Sequence, residues 1–128
     1  MTQDYYGTKR ITAWPQAKDG KEGYAVKYSD NYISWSPKDV FDAAYQPLNA
    51  LSFGHAIEAA KAGHKIARSG WNGKGLYVEL QVPDSNSKMT LPYFYLVYPD
   101  NAPNTPGAKV PWLASQTDVL ADDWNIID

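Results

Sequence analysis

Apolar and polar positions change their spacing several times along the chain, and each change marks an element. TKRITAWPQAK, residues 8 to 18, predicts a first strand, with Pro15 at an edge or a bulge because proline cannot donate to a ladder. YAVKY, Tyr24 to Tyr28, sets large apolar side chains alternately with Ala25 and Lys27. Asp30 and Asn31 follow with the tolerance for positive φ that a tight turn demands, and YISW resumes the pattern, so a hairpin is predicted. SPKDVFDAAY reads as a short helix with Ser36 at its N-cap, Pro37 at the first helical position and Asp39 three residues beyond the cap. Val40, Phe41, Ala44 and Tyr45 would form its inward stripe.

The second half is more regular. Phe53 to Ala62 carries Phe53, Ala56, Ile57 and Ala60 on one helical face, with Ser52 as the cap, Gly63 as the stop, and alanines small enough for close docking on a sheet. KIARSGW, an Asn72–Gly73 turn and GLYVELQV predict a hairpin in which Leu76, Val78, Leu80 and Val82 point one way and Tyr77, Glu79 and Gln81 the other. After the polar loop PDSNSK, LPYFYLVY reads as a strand, and PDNAPNTPGAK as an eleven-residue excursion that is either an exposed tip or part of a binding rim. VPWLASQTDVLADDW holds a third helix start, Ser115 with Asp118 three positions on, and NIID closes the sheet as a last strand.

Few helices among several short hairpins predict an α+β fold: antiparallel sheet or sheets built from β-hairpins, with two or three short helices packed on one side. QPLNAL, Gln46 to Leu51, breaks the patterns on both sides of it through Pro47 and Asn49. The expected division is therefore a hairpin-plus-helix module over 1–48 and a second domain over 49–128.

Composition narrows the function. Five Trp and ten Tyr among 128 residues exceed what a small core absorbs, so some rings are expected to face a ligand or partner. A formal charge of −2 without a long basic run argues against a protein that lives on polymeric nucleic acid, yet leaves room for a small anion held by a local cluster. The absence of cysteine excludes disulfides, Cys-based zinc sites and thiol catalysis. No window reaches the length of an apolar membrane span, which predicts a cytoplasmic protein without a membrane partner.

His55 and His64 lie nine apart and cannot share a helical face as a zinc pair does, so neither metal nor other cofactor is expected. The serines that stand out, Ser36, Ser52 and Ser115, are helix caps rather than nucleophiles in an elbow. Asp118, Asp122 and Asp123 offer paired carboxylates for acid–base work, although acids in a short surface helix more often form a solvated face. The stretch RSGWNGKGL differs: Arg68, Ser69, Trp71, Asn72 and Lys74 would place an aromatic plate, a forked guanidinium, an ammonium and open backbone N–H groups on one bend. These residues fit nucleotide recognition and an ordinary charged hairpin equally well. A second element adds to the binding reading, because the helix start at Ser115, Gln116, Thr117 and Asp118 presents N–H groups and a positive dipole end, with Trp112 three residues upstream as a second ring.

FGHAIEAAKAGHKIARSGWNGKG, then VELQ, SKMTLPY and PWLASQTDVLADDW, resemble the second Thoeris anti-defence family of phage signal-sequestering proteins, almost continuously from Leu51 to Asp128. The earlier YAVKYSDNYISWSPKDVFDAAYQP resembles a short module that recurs at the ends of small phage proteins, with Asn31 where glycine is usual. The resemblance implies a non-enzymatic sponge in the host bacterial cytoplasm. Its ligand would be the cyclic ADP-ribose-type signal, 1''-3' glycocyclic ADP-ribose, or alternatively cyclic di- or trinucleotides of CBASS-type immunity. It also implies a homo-oligomer, dimer or tetramer, with pockets between protomers. The family's site residues fall on Phe53, on Arg68, Trp71, Asn72 and Lys74, and on Trp112, Ser115, Gln116, Thr117 and Asp118. Trp71 would stack a base or ribosyl face, Arg68 or Lys74 would neutralise pyrophosphate, and Asn72, Thr117 and Asp118 would bond to ribose or base edges. A phosphodiesterase using the three aspartates with a recruited metal, and a protein-interaction module, are the competing classes.

Overall fold

The computed structural model describes residues 1–127. It divides into two compact units, Met1–Gln46 and Pro47 onward. The fold is α+β, with a three-stranded and a five-stranded sheet, all pairings antiparallel, and three helices among the described residues.

The first unit contains β1 (Thr12–Pro15), β2 (Gly23–Lys27), β3 (Ile33–Pro37) and α1 (Lys38–Ala44), with sheet order β1-β2-β3. Pro15 sits on an edge strand, where its missing N–H costs no ladder bond. Of the two turn residues only Asn31 takes positive φ, at 71°. Ala25 and Val26 on the central strand form the buried centre of this unit.

Two sequence expectations for α1 are corrected. Ser36 is not its cap: it pairs with Tyr24 in the β2–β3 ladder, so the strand persists to Pro37. Pro37, extended at φ −57° and ψ 149°, is the capping position and makes no side-chain cap bond. The ring forbids a further ladder bond, which is why the helix starts only at Lys38. Val40 and Ala44 are exposed, because two turns of helix bring only one row of side chains to the sheet. That row is Phe41, stacked on Tyr24 at 4.1 Å, and Tyr45, 5.1 Å from Phe41.

The second unit contains α2 (Phe53–Lys61), β4 (Ile66–Arg68), β5 (Tyr77–Gln81), β6 (Tyr93–Val97), β7 (Lys109–Pro111), α3 (Gln116–Val119) and β8 (Trp124–Ile126). Its sheet order is β7-β6-β5-β4-β8, so the last strand returns beside β4. Ser52 caps α2 as expected, and Gly63 ends it at φ 100°, a left-handed conformation that a β-carbon would strain. Ala56 and Ala60 are fully buried against the sheet, flanked by half-buried Phe53 and Ile57. The core these side chains share is Leu51, Ala56, Ala60, Ile66, Val78 and Trp124. PDNAPNTPGAK links β6 to β7, tied at its base by the Tyr98 N–H to the Ala108 carbonyl at 2.8 Å and the Gly107 N–H to the Pro99 carbonyl at 3.1 Å.

The expected β4–β5 hairpin exists, but it does not turn at Asn72–Gly73. The strands pair only at Ile66 and Val78, and the connection runs from Ser69 to Leu76. Among Gly70, Gly73 and Gly75 only Gly75 takes positive φ, at 88°. Arg68 explains the departure: it pairs with Trp124 on β8, and its side chain points to acids beside that strand, which draws the chain away from β5. The glycine-rich stretch is therefore a broad loop rather than a tight turn.

Ala60→Leu should overpack the α2–sheet contact and cost about 1–3 kcal/mol. The measurement is a denaturant midpoint followed by tryptophan fluorescence, and an unchanged midpoint would contradict the close docking described.

Candidate functional site

Trp124 organises the site. The indole is fully buried, and its Nε1 donates to the Asp118 backbone carbonyl at 2.9 Å. Three rings surround it: Phe53 at 5.7 Å, Trp71 edge-on at 5.4 Å, and Trp112 edge-on at 5.9 Å. Phe53 opens α2, Trp71 lies in the β4–β5 loop and Trp112 follows β7, so three separate elements converge on one ring.

Asp118 is the polar counterpart. It is the one buried acid among the described residues, with a side chain 13% exposed. Oδ1 accepts from Trp71 Nε1 and from Arg68 Nη1, both at 3.0 Å, and Oδ2 accepts the Ser115 N–H at 3.3 Å. The Asp118 N–H in turn donates to Ser115 Oγ at 3.1 Å, completing the capping box of α3. Burial pushes the Asp118 carboxyl up, but hydrogen bonds from Trp71, Arg68 and Ser115 together outweigh it and hold the group below the ordinary carboxylate range.

Arg68 is held from a second side by Asp123. Its Nε donates to Asp123 Oδ1 at 2.8 Å, while the Gly70 N–H donates to Asp123 Oδ2 at 2.7 Å. These bonds, led by that from Arg68, also hold the Asp123 carboxyl low. Ser69 Oγ accepts from Asn125 Nδ2 at 2.9 Å.

The expected site residues thus separate by role. Phe53, Trp71, Trp112, Arg68 and Asp118 meet in one cluster, with Ser115 tied to it through the cap. Ser69 lies beside it at the start of the β4–β5 loop, bonded to Asn125 of β8. Asn72, Lys74, Gln116 and Thr117 are exposed, and their side chains hydrogen-bond to no other described residue. Arg68, with a side chain 14% exposed and two carboxylates on it, is a brace; Lys74 is the loop cation left to solvent. Asp118 fills the start of α3, so the positive helix end expected there already faces a carboxylate. Asp123 enters the sequence reading as a candidate acid–base carboxylate, whereas its geometry makes it half of a clamp. Trp124 and Asn125 enter that reading only as the last residue of PWLASQTDVLADDW and the first of the closing strand, not as site residues, because their partners lie across the fold.

The same region is where the chain matches known proteins. The family described as the Thoeris anti-defense 2-like domain matches residues 51–127. The chain belongs to this family. Thoeris anti-defense 2 of Bacillus phage SP01 is 37% identical over 87 residues, which cover 60% of this chain and 94% of that protein. Membership makes the chain a phage anti-defence protein directed at Thoeris immunity. Every site residue lies inside the family match, and the first unit lies outside it.

Asp118→Ala should cost about 3 kcal/mol, because it leaves the mostly buried Arg68 charge half-compensated and the Trp71 N–H without an acceptor. Since Asp118 titrates lower in the folded protein than its ordinary value of 3.8, its contribution is complete above that pH and is lost as the pH falls through the folded value. Thermal melts over pH 2 to 7 should show a steep acid loss in the native protein and a shallower one in Asp118→Asn. Equal slopes would contradict the assignment.

Proposed function

We propose that this protein binds the cyclic ADP-ribose-type signal of Thoeris immunity, 1''-3' glycocyclic ADP-ribose, and sequesters it uncleaved in the host bacterial cytoplasm. The observation that carries the reading is Trp71: its N–H is fixed on Asp118, its edge rests on Trp124, and the half-buried indole lies in the same loop as the exposed polar side chains of Asn72 and Lys74. An aromatic plate of fixed orientation on the same loop as an exposed ammonium suits a ligand that carries both a base and a pyrophosphate. Gln116 and Thr117, on the short helix that Asp118 caps, add exposed amide and hydroxyl groups for ribose or base edges.

Sequestration demands tight binding. Stacking contributes about 1–3 kcal/mol per base and a charge-assisted hydrogen bond about 1.5–3 kcal/mol. Several such contacts, positioned before the ligand arrives, approach the roughly −12 kcal/mol of nanomolar affinity. Cleavage has weaker support. Asp118 and Asp123 are both committed to Arg68 and held ionised, which suits them poorly to proton transfer.

A homo-oligomer with pockets between protomers is part of the proposal. Leu113 is 92% exposed and Leu120 77% exposed, on either side of α3, and a neighbouring copy would cover apolar surface of this size.

The test is to mix the protein with the cyclic ADP-ribose isomer, remove free ligand, heat-denature the complex and chromatograph the supernatant. Recovery of intact ligand in stoichiometric amount is expected. A cleaved product, or no retained ligand, would overturn the reading. Cyclic di- and trinucleotides carried through the same protocol distinguish the CBASS-type alternative. Trp71→Ala and Lys74→Ala should each weaken binding by about tenfold or more, the equivalent of one stacking or charged contact.

A further inference from the structure

The geometry points to Asp123 as a positioning residue: a carboxylate on the rim of β8 that sets the conformation of the Ser69–Leu76 loop and thereby the affinity of the site. The inference rests on the proposed sequestration of a cyclic ADP-ribose-type ligand for its affinity component.

Three consecutive residues, the last of β4 and the first two of the loop, are fastened to this one amino acid. The Arg68 side chain donates to Asp123 Oδ1 at 2.8 Å, the Ser69 N–H donates to the Asp123 carbonyl at 3.1 Å, and the Gly70 N–H donates to Asp123 Oδ2 at 2.7 Å. Asn125 closes the bracket, its Nδ2 donating to Ser69 Oγ at 2.9 Å and to the Asp123 carbonyl at 3.0 Å. The next residue, Trp71, donates its N–H to the Arg68 carbonyl at 3.4 Å, so the path of the backbone into the stacking ring is fixed by what holds Arg68 to Gly70. Ladder pairing with β8 ends at Arg68, and the core reaches the loop through the ring of Trp71, which packs on Trp124. β4 pairs with β5 at a single position, and Ser69 and Gly70 are exposed.

Gly70 shows how close the contact is. A β-carbon there would lie 2.7 Å from Asp123 Oδ2 and 3.1 Å from Arg68 Nη2, which the acid–guanidinium pair has no room to accept. The glycine thus serves the approach of its N–H to the carboxylate, at a φ open to any residue. Asp123 itself contacts no group placed on the ligand-facing side of the loop. Its effect on binding passes through Arg68 and Gly70.

Two variants of the full chain attack the contact from opposite sides. Asp123→Asn keeps the shape but replaces an acceptor with a donor facing N–H groups, and Gly70→Ala inserts a methyl group into the same gap. Both should raise amide hydrogen exchange in residues 69–76 about tenfold while α2, β5 and β6 keep their protection. Both should also weaken binding of 1''-3' glycocyclic ADP-ribose by about tenfold, mainly through faster release. Asp123→Glu, which restores the charge, should recover part of each effect. A purely structural role would lower the melting temperature yet leave affinity and loop exchange of the folded protein unchanged, and that result would overturn the inference. If Asp123→Asn does not fold, Gly70→Ala decides alone by the same two readouts. If the native protein binds no such ligand, the proposed function fails, and loop exchange still judges the positioning role.

Discussion

The second unit depends on an acid–guanidinium–acid clamp set against a buried indole. Arg68 lies between Asp118 and Asp123, and the residue that holds one end of the guanidinium also holds Trp71 and, through its backbone carbonyl, Trp124. Buried ion pairs contribute little net stability when measured against an apolar substitute, because desolvation offsets the attraction. Their value here is geometric. Five donors from Arg68, Trp71, Gly70 and Ser115 end on two carboxylates, so the start of β8, the cap of α3 and the loop after β4 have one mutual arrangement.

That arrangement connects the fold to the proposed sequestration. A protein that neutralises a small signal by holding it gains most when its contacts exist before the ligand arrives, since ordering side chains on binding subtracts from affinity. Trp71 satisfies the requirement through two orthogonal restraints, a hydrogen bond at its N–H and an edge contact with Trp124. The aromatic surplus divides accordingly. Trp124 lies in the core, and Trp71 joins that core to the proposed site. Much of the rest is used locally, as where the Tyr95 hydroxyl donates to Glu79 at 2.5 Å and burial, with that bond, pushes it up to about 12.

Much of this was legible in the chain because local rules govern it. The Ser115–Asp118 spacing announced a capping box, Ala56 and Ala60 announced a closely docked helix, and the RSGWNGKG stretch marked the loop that carries Trp71. What local rules cannot show is where a side chain finds a distant partner. In a short window Arg68 or Lys74 reads as the cation for a pyrophosphate, and the acids that pair with Arg68, Asp118 and Asp123, lie some fifty positions away, invisible to it. The same blindness made Asn72–Gly73 read as a two-residue turn, when the pull of β8 on Arg68 opens the loop. Ser36 failed as a cap for a nearer reason: ladder pairing with Tyr24 outweighed a helix start spelled correctly in the sequence.

A crystal structure of the protein with bound 1''-3' glycocyclic ADP-ribose tests the account most directly. It should show a base or ribosyl face against Trp71, a phosphate near Lys74, and Arg68 still paired with both Asp118 and Asp123. A ligand phosphate seated on Arg68 with those pairs broken, or a ligand bound away from Trp71, would contradict it.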